Sequence, residues 1–451
     1  MIRSIACTAF LLLSGCAGYE APALKDDAAS PDLMHLTIDA RAMPLPALAA
    51  HRFDPSDGLD MTEVAMLAVV NNPDLKLARG DAAIAHAQAF SAGLLPDPQL
   101  ALAHDWSNTG PDGIRAFSLG LNYDVNALLL HSSVEAAAQS DRRKTDLNLL
   151  WQEWQVVSQA RLLFVKARQA KKAMAVLEQT QALFADRLRR TRTALERGLL
   201  SSDAVAPNVA ALQDTQRQVF DLKRTSSQSA HDLNALLGLA PETQLDLRDG
   251  GEGAAPDQAA ILAALPQLAR RRPDLLALQA GYQAQDQRYR GALLAQFPAL
   301  NLGLVRARDS SGIYSNSVGV TMSLPFLNRN RGNIAIEQAT RQRLADEYRQ
   351  RLQTGRNDIH RLLDEQALNL QQLAQSDAAI AELEQVLARS EMGFKAANID
   401  ALVYAGARAA LLSRQLERIT LEQAVQEQRI ALQTLIGISL LPLSTQESLK
   451  E

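Results

Sequence analysis

The side chains that most often do chemistry in proteins are sparse here and poorly spaced for it. The seven histidines include no HExxH motif and no pair at i and i+4, the spacing that sets two imidazoles on one helix face around zinc. Neither a GxxxxGK-type phosphate loop nor a GxSxG nucleophile elbow occurs. The eight methionines form no relay of soft ligands, so any metal binding would be transient. Two cysteines remain, Cys7 and Cys16. Around them Arg3, the apolar run Ile5 to Leu13 and the small residues before Cys16 read as a secretory signal. That run is shorter than the ~20 residues a membrane-spanning helix needs. Cys7 would leave with the signal, so the exported chain would hold no disulfide and must be stable by packing or assembly. No constellation supports an enzyme or a bound cofactor.

The elements that would position a function are more informative. The chain has 451 residues, a formal charge of -4 and a pI near 6.0, which gives no footprint for a nucleic-acid partner. Apolar residues make up 47% and aromatics only 4%, low for a chain that is mainly barrel or sandwich. A mainly helical protein is expected.

The halves of the chain repeat each other. Asn71-Asn72-Pro73-Asp74-Leu75 returns as Arg271-Arg272-Pro273-Asp274-Leu275, and Leu95-Pro96-Asp97-Pro98-Gln99-Leu100 returns more loosely as Gln296-Phe297-Pro298-Ala299-Leu300. Leu119-Gly120-Leu121 matches Val318-Gly319-Val320, Arg197-Gly198-Leu199 matches Met392-Gly393-Phe394, and Leu237-Gly238-Leu239 matches Ile436-Gly437-Ile438. The offset of about 200 residues marks duplication of a whole unit, not a short solenoid repeat.

In the first unit Asp60 and Glu63 form a capping-box-like start, and a helix is expected from Met61 towards Leu95, bent or split at Pro73. Two strands follow around the turn cluster SNTGPDG. Leu100, Leu102 and Trp106 alternate with Gln99, Ala101, Ala103 and Asp105, and Phe117, Leu119, Leu121, Tyr123 and Val125 alternate with Ala116, Ser118, Gly120, Asn122 and Asp124. From about His131 the pattern turns helical as far as Gly198, with Met174, Leu177, Phe184, Leu188 and Leu195 at coiled-coil spacing. Such a rod is roughly 100 Å long. A return helix, with Pro207 near its start, then runs to Gly238. The second unit repeats the plan with strands at about Pro298–Arg308 and Tyr314–Phe326, a helix from about Arg331 to Gly393, and a return helix to Gly437 in which Leu421, Val425, Leu432 and Leu435 keep the seam.

Strands of about 9 to 11 residues with one apolar and one small or polar face fit a membrane barrel whose polar face lines a lumen. A sheet on a soluble core gives the same alternation. Four strands are too few to close a barrel alone, and three copies would supply twelve with no open edge. Trp106, Phe117, Tyr123, Tyr314 and Phe326 are candidates for interfacial aromatic girdles, with scattered core aromatics as the alternative.

These features in this order, over the whole mature chain, resemble the TolC family of outer-membrane efflux proteins. The resemblance rests on the NNPDL and RRPDL segments, the LLPDPQL and AQFPAL strand entries, the SLPF exit, the tip glycines Gly198 and Gly393, and Leu13-Ser14-Gly15-Cys16, which resembles a bacterial lipobox. It implies diacylglycerol modification of Cys16. With Ala17 instead of Asp next to that cysteine, sorting to the outer membrane is implied. A plain signal peptide with an incidental cysteine is the alternative. It also implies a homotrimer with a twelve-stranded β-barrel in outer-membrane lipid, continuous with a periplasmic α-barrel. The partners implied are a periplasmic adaptor and an inner-membrane transporter of resistance-nodulation-division type.

Family channels close near the helical turns, often with acidic rings, which makes Asp400 and its first-repeat counterpart Asp203 candidate aperture residues; a helix N-cap is the plain alternative for Asp400. Gly198, Leu199, Gly393 and Phe394 are the candidate adaptor contacts, and glycine C-caps explain the glycines without a partner. Pro325 and Gly332 mark the expected exit from strand to helix. The first repeat lacks this Pro and Gly, since Val125-Asn126-Ala127-Leu128-Leu129-Leu130 stands there, and a smoother or differently placed junction is expected.

The organisation expected is a signal peptide over 1–15, a lipid-anchored arm over 16–58, repeat 1 over 59–240, a loop over 241–258, repeat 2 over 259–438 and a tail over 439–451. Within the repeats the β-hairpins are expected at about 99–125 and 298–326, and the helical hairpins at about 131–238 and 331–437. The function implied is a passive exit duct for small molecules, whether drugs, toxic organics or metal cations. A type I secretion conduit is the alternative within transport. A lipid-anchored coiled-coil spacer is the alternative from another class, and it requires neither strands nor conductance.

Overall fold

A computed structural model describes residues 24, 33, 36–43, 45–105, 116–250 and 258–437. The signal segment, Cys16, Trp106 with its turn, most of the inter-repeat glycine cluster and the tail lie outside the described residues.

The first expected helix is two. α1 (Met61–Asn71) opens with the full capping box: Asp60 Oδ1 accepts from the Thr62 and Glu63 amides at 2.8 and 2.9 Å, and Glu63 Oε2 accepts from the Asp60 amide at 2.8 Å. α2 (Pro73–Ala92) begins after Asn72, which has left helical geometry, as the residue before proline is biased to do. The paired asparagines then do a second job. Asn71 Nδ2 donates to the Leu237 carbonyl at 2.6 Å, and Asn72 Nδ2 donates to that of Leu236 at 2.8 Å. They satisfy carbonyls that the end of another helix leaves open. In the second repeat Arg272 takes this place and forks onto Asp274 at 3.0 and 2.7 Å, with both residues buried and the guanidinium 5.2 Å from the Trp151 ring.

Strands β1 (Gln99–Asp105) and β2 (Ala116–Asp124) lead into α3 (Val125–Glu196), a helix of 72 residues and thus about 110 Å long. The expected start near His131 is corrected to Val125: no loop intervenes, because Asp124 ends the strand and caps the helix, its Oδ1 accepting from the Ala127 amide at 3.0 Å. α4 (Ala206–Leu236) returns. In the second repeat α5 (Pro273–Leu294) precedes β3 (Leu300–Arg308) and β4 (Tyr314–Met322), and α6 (Arg331–Lys395) pairs with α7 (Ala401–Ile436).

The expected strand end at Phe326 is corrected to Met322. Pro325 has no amide to extend the ladder, and Leu324, Pro325 and Phe326 lie beyond it. Gly332 sits in the first turn of α6 with open space around it, and the left-handed residues of the junction are Arg329 and Asn330. Asn330 tolerates that geometry well, and its side chain donates to the Ala292 carbonyl at 2.9 Å, tying the junction to α5.

The core lies at the middle of the long helices, not at their ends. Leu163 and Phe164 of α3 pack with Val64 and Leu67 of α1 and with Leu233 and Leu237 at the end of α4. Trp154 and Val157 pack with Met66 and Val69, and Ile359 and Leu363 of α6 pack with Leu275 and Ile436. Residues 36–43 and 45–58, expected as part of an extended arm, are ordered against this waist. A turn of helix at Pro46–Ala49 buries Leu48 completely, as it does the adjacent Leu45, and Leu59 bridges Leu247 of the inter-repeat segment.

Glu153 of α3 is buried in the waist beside Arg79, whose Nη2 lies 3.2 Å away. Burial outweighs the attraction and raises its carboxyl above the ordinary 4.5. The folded chain therefore favours the neutral acid. Its contribution to stability is full below the ordinary value and is lost as pH rises through the folded one. Glu153→Gln stays neutral, so thermal midpoints followed against pH should show wild type losing ground to the variant as pH rises above 4.5.

Candidate functional site

Two features have the shape of a working site: the open sheet at one end of the helices and the paired helical turns at the other. The sheet has the order β1-β2-β3-β4, antiparallel throughout, so β1 and β4 each leave one edge unpaired among the described residues. Its register sorts the side chains cleanly. Leu102 stands opposite Leu119, Leu121 opposite Leu304, and Leu304 opposite Val318. Ala101 opposite Gly120, Asn122 opposite Gly303 and Gly303 opposite Gly319 occupy the other face. A Cβ at Gly303 would come within 2.7 Å of the Asn122 side-chain oxygen, so Asn122 would have to shift to admit one.

The apolar face is exposed, Leu102 at 75% and Val318 at 77%, and no helix covers it among the described residues. Leu94, Leu95, Phe297, Leu324 and Phe326, close to the strand ends in sequence, are exposed as well. A soluble core would bury such a face. Among the described residues no helix is long and apolar enough to cross a membrane.

At the far end of the helices, the α3–α4 turn ends in a complete Schellman motif: Gly198 is left-handed at φ +73°, its amide bonds to the Leu195 carbonyl, and the Leu199 amide bonds to that of Ala194. The α6–α7 turn builds the same motif on Ala397 at φ +58°, with Ala397 bonded to Phe394 and Asn398 to Gly393. The expectation that Gly393 caps this helix is therefore corrected: α6 runs on to Lys395, and the structural partner of Gly198 is Ala397. Matching glycine to glycine missed this. The sequence signal for it was Asn398 and Asp400, an end followed by a start.

Asp400 is the N-cap of α7, its Oδ1 accepting from the Leu402 and Val403 amides at 2.8 and 2.9 Å. Asp203 lies in a 3-10 turn, Ser202–Ala204, where hydrogen bonds from Ser201 and from its own backbone hold its carboxyl below the ordinary value. Between the two turns lies a cleft of about 850 Å³ lined by Leu199, Phe394, Asp400 and Tyr404, together with Arg187 and Arg190. It brings together Leu199, Phe394 and Asp400 and leaves out Gly198, Gly393 and Asp203. Phe394 stacks on Tyr404 at 5.4 Å. The sequence reading missed the two arginines and Tyr404. The Asp186–Arg190 pair, four residues apart and 2.7 Å in the structure, was readable as a helix-face ion pair.

Among the described residues one group has metal-ligand chemistry, His51 with Asp60 and Glu63, whose ligand atoms lie within 4.8 Å of one another. The two carboxylates are already engaged by the capping box, and the Arg248 guanidinium stands 3.2 Å from Glu63. That arrangement fits a helix start better than a cation.

Residues 264–438 match the family model described as outer membrane efflux protein. No curated protein matches the sequence. Solved structures resemble the chain in fold over most of its length. The CmeC outer membrane channel of Campylobacter jejuni is 17% identical, with 93% of this chain and 97% of that one covered at a TM-score of 0.71. The outer membrane protein VceC of Vibrio cholerae is 16% identical over 84% and 96% at 0.68. The MtrE outer membrane channel of Neisseria gonorrhoeae, solved in an open state, is 15% identical over 93% and 97% at 0.67. The family match thus spans residues 264–438, and the chain as described shares the fold of these solved outer membrane channels.

Proposed function

We propose that the chain is one third of a passive duct, the outer-membrane channel of a tripartite efflux pump. The observation that carries this reading is the four-stranded sheet, with two edges unpaired among the described residues and an exposed apolar face. Three copies joined β4 to β1 make a closed twelve-stranded wall with leucines towards lipid and glycine, serine and asparagine towards a lumen. The 72- and 65-residue helices then continue the wall as an α-barrel through the periplasm. Small molecules, organic or metal cations, pass down it, driven by an inner-membrane transporter of resistance-nodulation-division type through an adaptor. The turns carrying Gly198, Leu199, Gly393 and Phe394 are the adaptor contacts, Cys16 carries the lipid, and Pro325 to Gly332 marks the change from strand to helix. A lipid-anchored spacer has no use for such a sheet.

The aperture is placed at the turns, with Asp400 as its ring. One carboxylate oxygen caps the helix, and the charge is shared with whatever passes. Asparagine caps almost as well as aspartate. Asp400→Asn is thus expected to leave the thermal midpoint unchanged while lowering the preference for cations over anions in bilayer recordings, since rings of carboxylates select cations. Asp400→Ala loses the cap as well, about 1 kcal/mol. The reading itself is tested by the native mass of the purified protein in detergent. Three chains are expected, and a monomer would count against it.

A further inference from the structure

The apolar face of the sheet changes character towards the hairpin turns. Along β3 the residues on that face run Leu300, Leu302, Leu304, then Arg306 and Arg308. On β4 the series Met322, Val320, Val318 gives way to Asn316 and Tyr314, which stand opposite Arg306 and Arg308. Phe117 of β2 is opposite Arg308. Tyr314 gathers this cluster: its ring lies 5.9 Å from the Arg306 guanidinium, 5.6 Å from that of Arg308 and 6.2 Å, edge on, from Phe117.

An arginine on a lipid-facing position costs about 2–4 kcal/mol at the bilayer midplane and little near the interface. Two of them therefore fix the hairpin end as an interface. Neither arginine forms an ion pair with any described residue, and Arg308 Nε is buried with no hydrogen-bond partner among them. Asp105 faces the other side of the sheet, opposite Ala116. Asp309 is occupied locally, its Oδ1 accepting from the Ser311 and Ile313 amides at 2.8 and 2.9 Å. Directly beneath the arginines a shallow groove of about 430 Å³ runs over Leu119, Leu121, Leu304 and Val318, with Arg306 at its rim.

Guanidinium forks over an alkyl groove match one kind of occupant, a lipid with an anionic phosphate head. We propose that Arg306, Arg308 and Tyr314 form a binding site for a phosphate-bearing lipid of the outer leaflet, its phosphate on the two guanidiniums and an acyl chain in the groove below. The assignment rests on the membrane-barrel reading, because it needs this face in contact with lipid.

The test is native mass spectrometry of the purified full-length assembly, titrated with bisphosphorylated lipid A, with its dephosphorylated form and with inorganic phosphate. Wild type should retain the bisphosphorylated lipid about tenfold or more better than the dephosphorylated one, given the strength of charged hydrogen bonds. Arg306→Gln with Arg308→Gln should abolish that preference, and the double lysine variant, which keeps the charge without the fork, should recover part of it. Equal retention of both lipids by wild type, undiminished preference in the glutamine pair, or capture of inorganic phosphate alone would each overturn the site. If the glutamine pair does not assemble, a lysine pair as selective as wild type would overturn the fork geometry. Bilayer conductance, recorded on the same preparations, separates the two ideas: a non-conducting wild type rejects the channel, while a conducting wild type without lipid preference rejects only the site.

Discussion

Gly238→Ala should destabilise the chain by on the order of 3 kcal/mol, combining about 1–2 kcal/mol for a left-handed alanine with about 1–3 kcal/mol for an overpacked contact. Gly238 stands at φ +61°, and a Cβ there would lie 2.6 Å from the Asn71 backbone carbonyl. That carbonyl has nowhere to go. Asn71 ends α1, and its side chain is bonded to the Leu237 and Gly238 carbonyls at 2.6 and 3.1 Å, so moving it would undo the clasp between the start and the end of the first repeat. Gly198→Ala is the matched control, with φ +73° and no atom within 4 Å of its Cβ position. It should cost only the left-handed alanine, about 1 kcal/mol. Thermal unfolding followed by helical circular dichroism compares the two, and equal shifts would contradict the clasp.

Val320→Arg should sharply reduce recovery of assembled protein from membranes, whereas Thr321→Arg, one residue on, should leave assembly intact and change conductance. The contrast follows from register. Val320 stands opposite Leu302 on the exposed apolar face, and Thr321 stands opposite Asn301 on the small, polar one. On lipid an arginine near the midplane costs about 2–4 kcal/mol per copy, and a threefold assembly carries three. In a water-filled lumen the same side chain stays hydrated and adds a positive ring. Membrane-fraction yield and single-channel current are the readouts, and equal loss at both positions would mean that the faces have been misassigned.

Much of this was legible in the sequence because it depends on period and on a few stiff residues. The alternation from Ser317 to Met322, the capping pair Asp60 and Glu63, and the break at Pro73 all stand where the pattern puts them. Ends set by long-range contacts were not legible. Gly393 and Gly332 attracted attention as glycines, yet the left-handed backbone falls on Ala397, Arg329 and Asn330. The cost of a left-handed alanine is small beside a turn already fixed by a stacked Phe394–Tyr404 pair and the Asp400 cap. The NNPDL and RRPDL segments read as one repeated motif, but only Asn71 and Asn72 clasp the return helix, while Arg272 turns to Asp274. The arm looked unpatterned because its Leu45 and Leu48 are single anchors on a surface built by other elements.

The central claim is that three copies of an incomplete wall make a pore. Planar-bilayer recording on the purified full-length protein tests it most directly. The account predicts discrete, reproducible conductance steps that shift towards anions when Asp400 becomes asparagine. A bilayer that stays electrically silent in the presence of correctly folded, fully helical protein would contradict it.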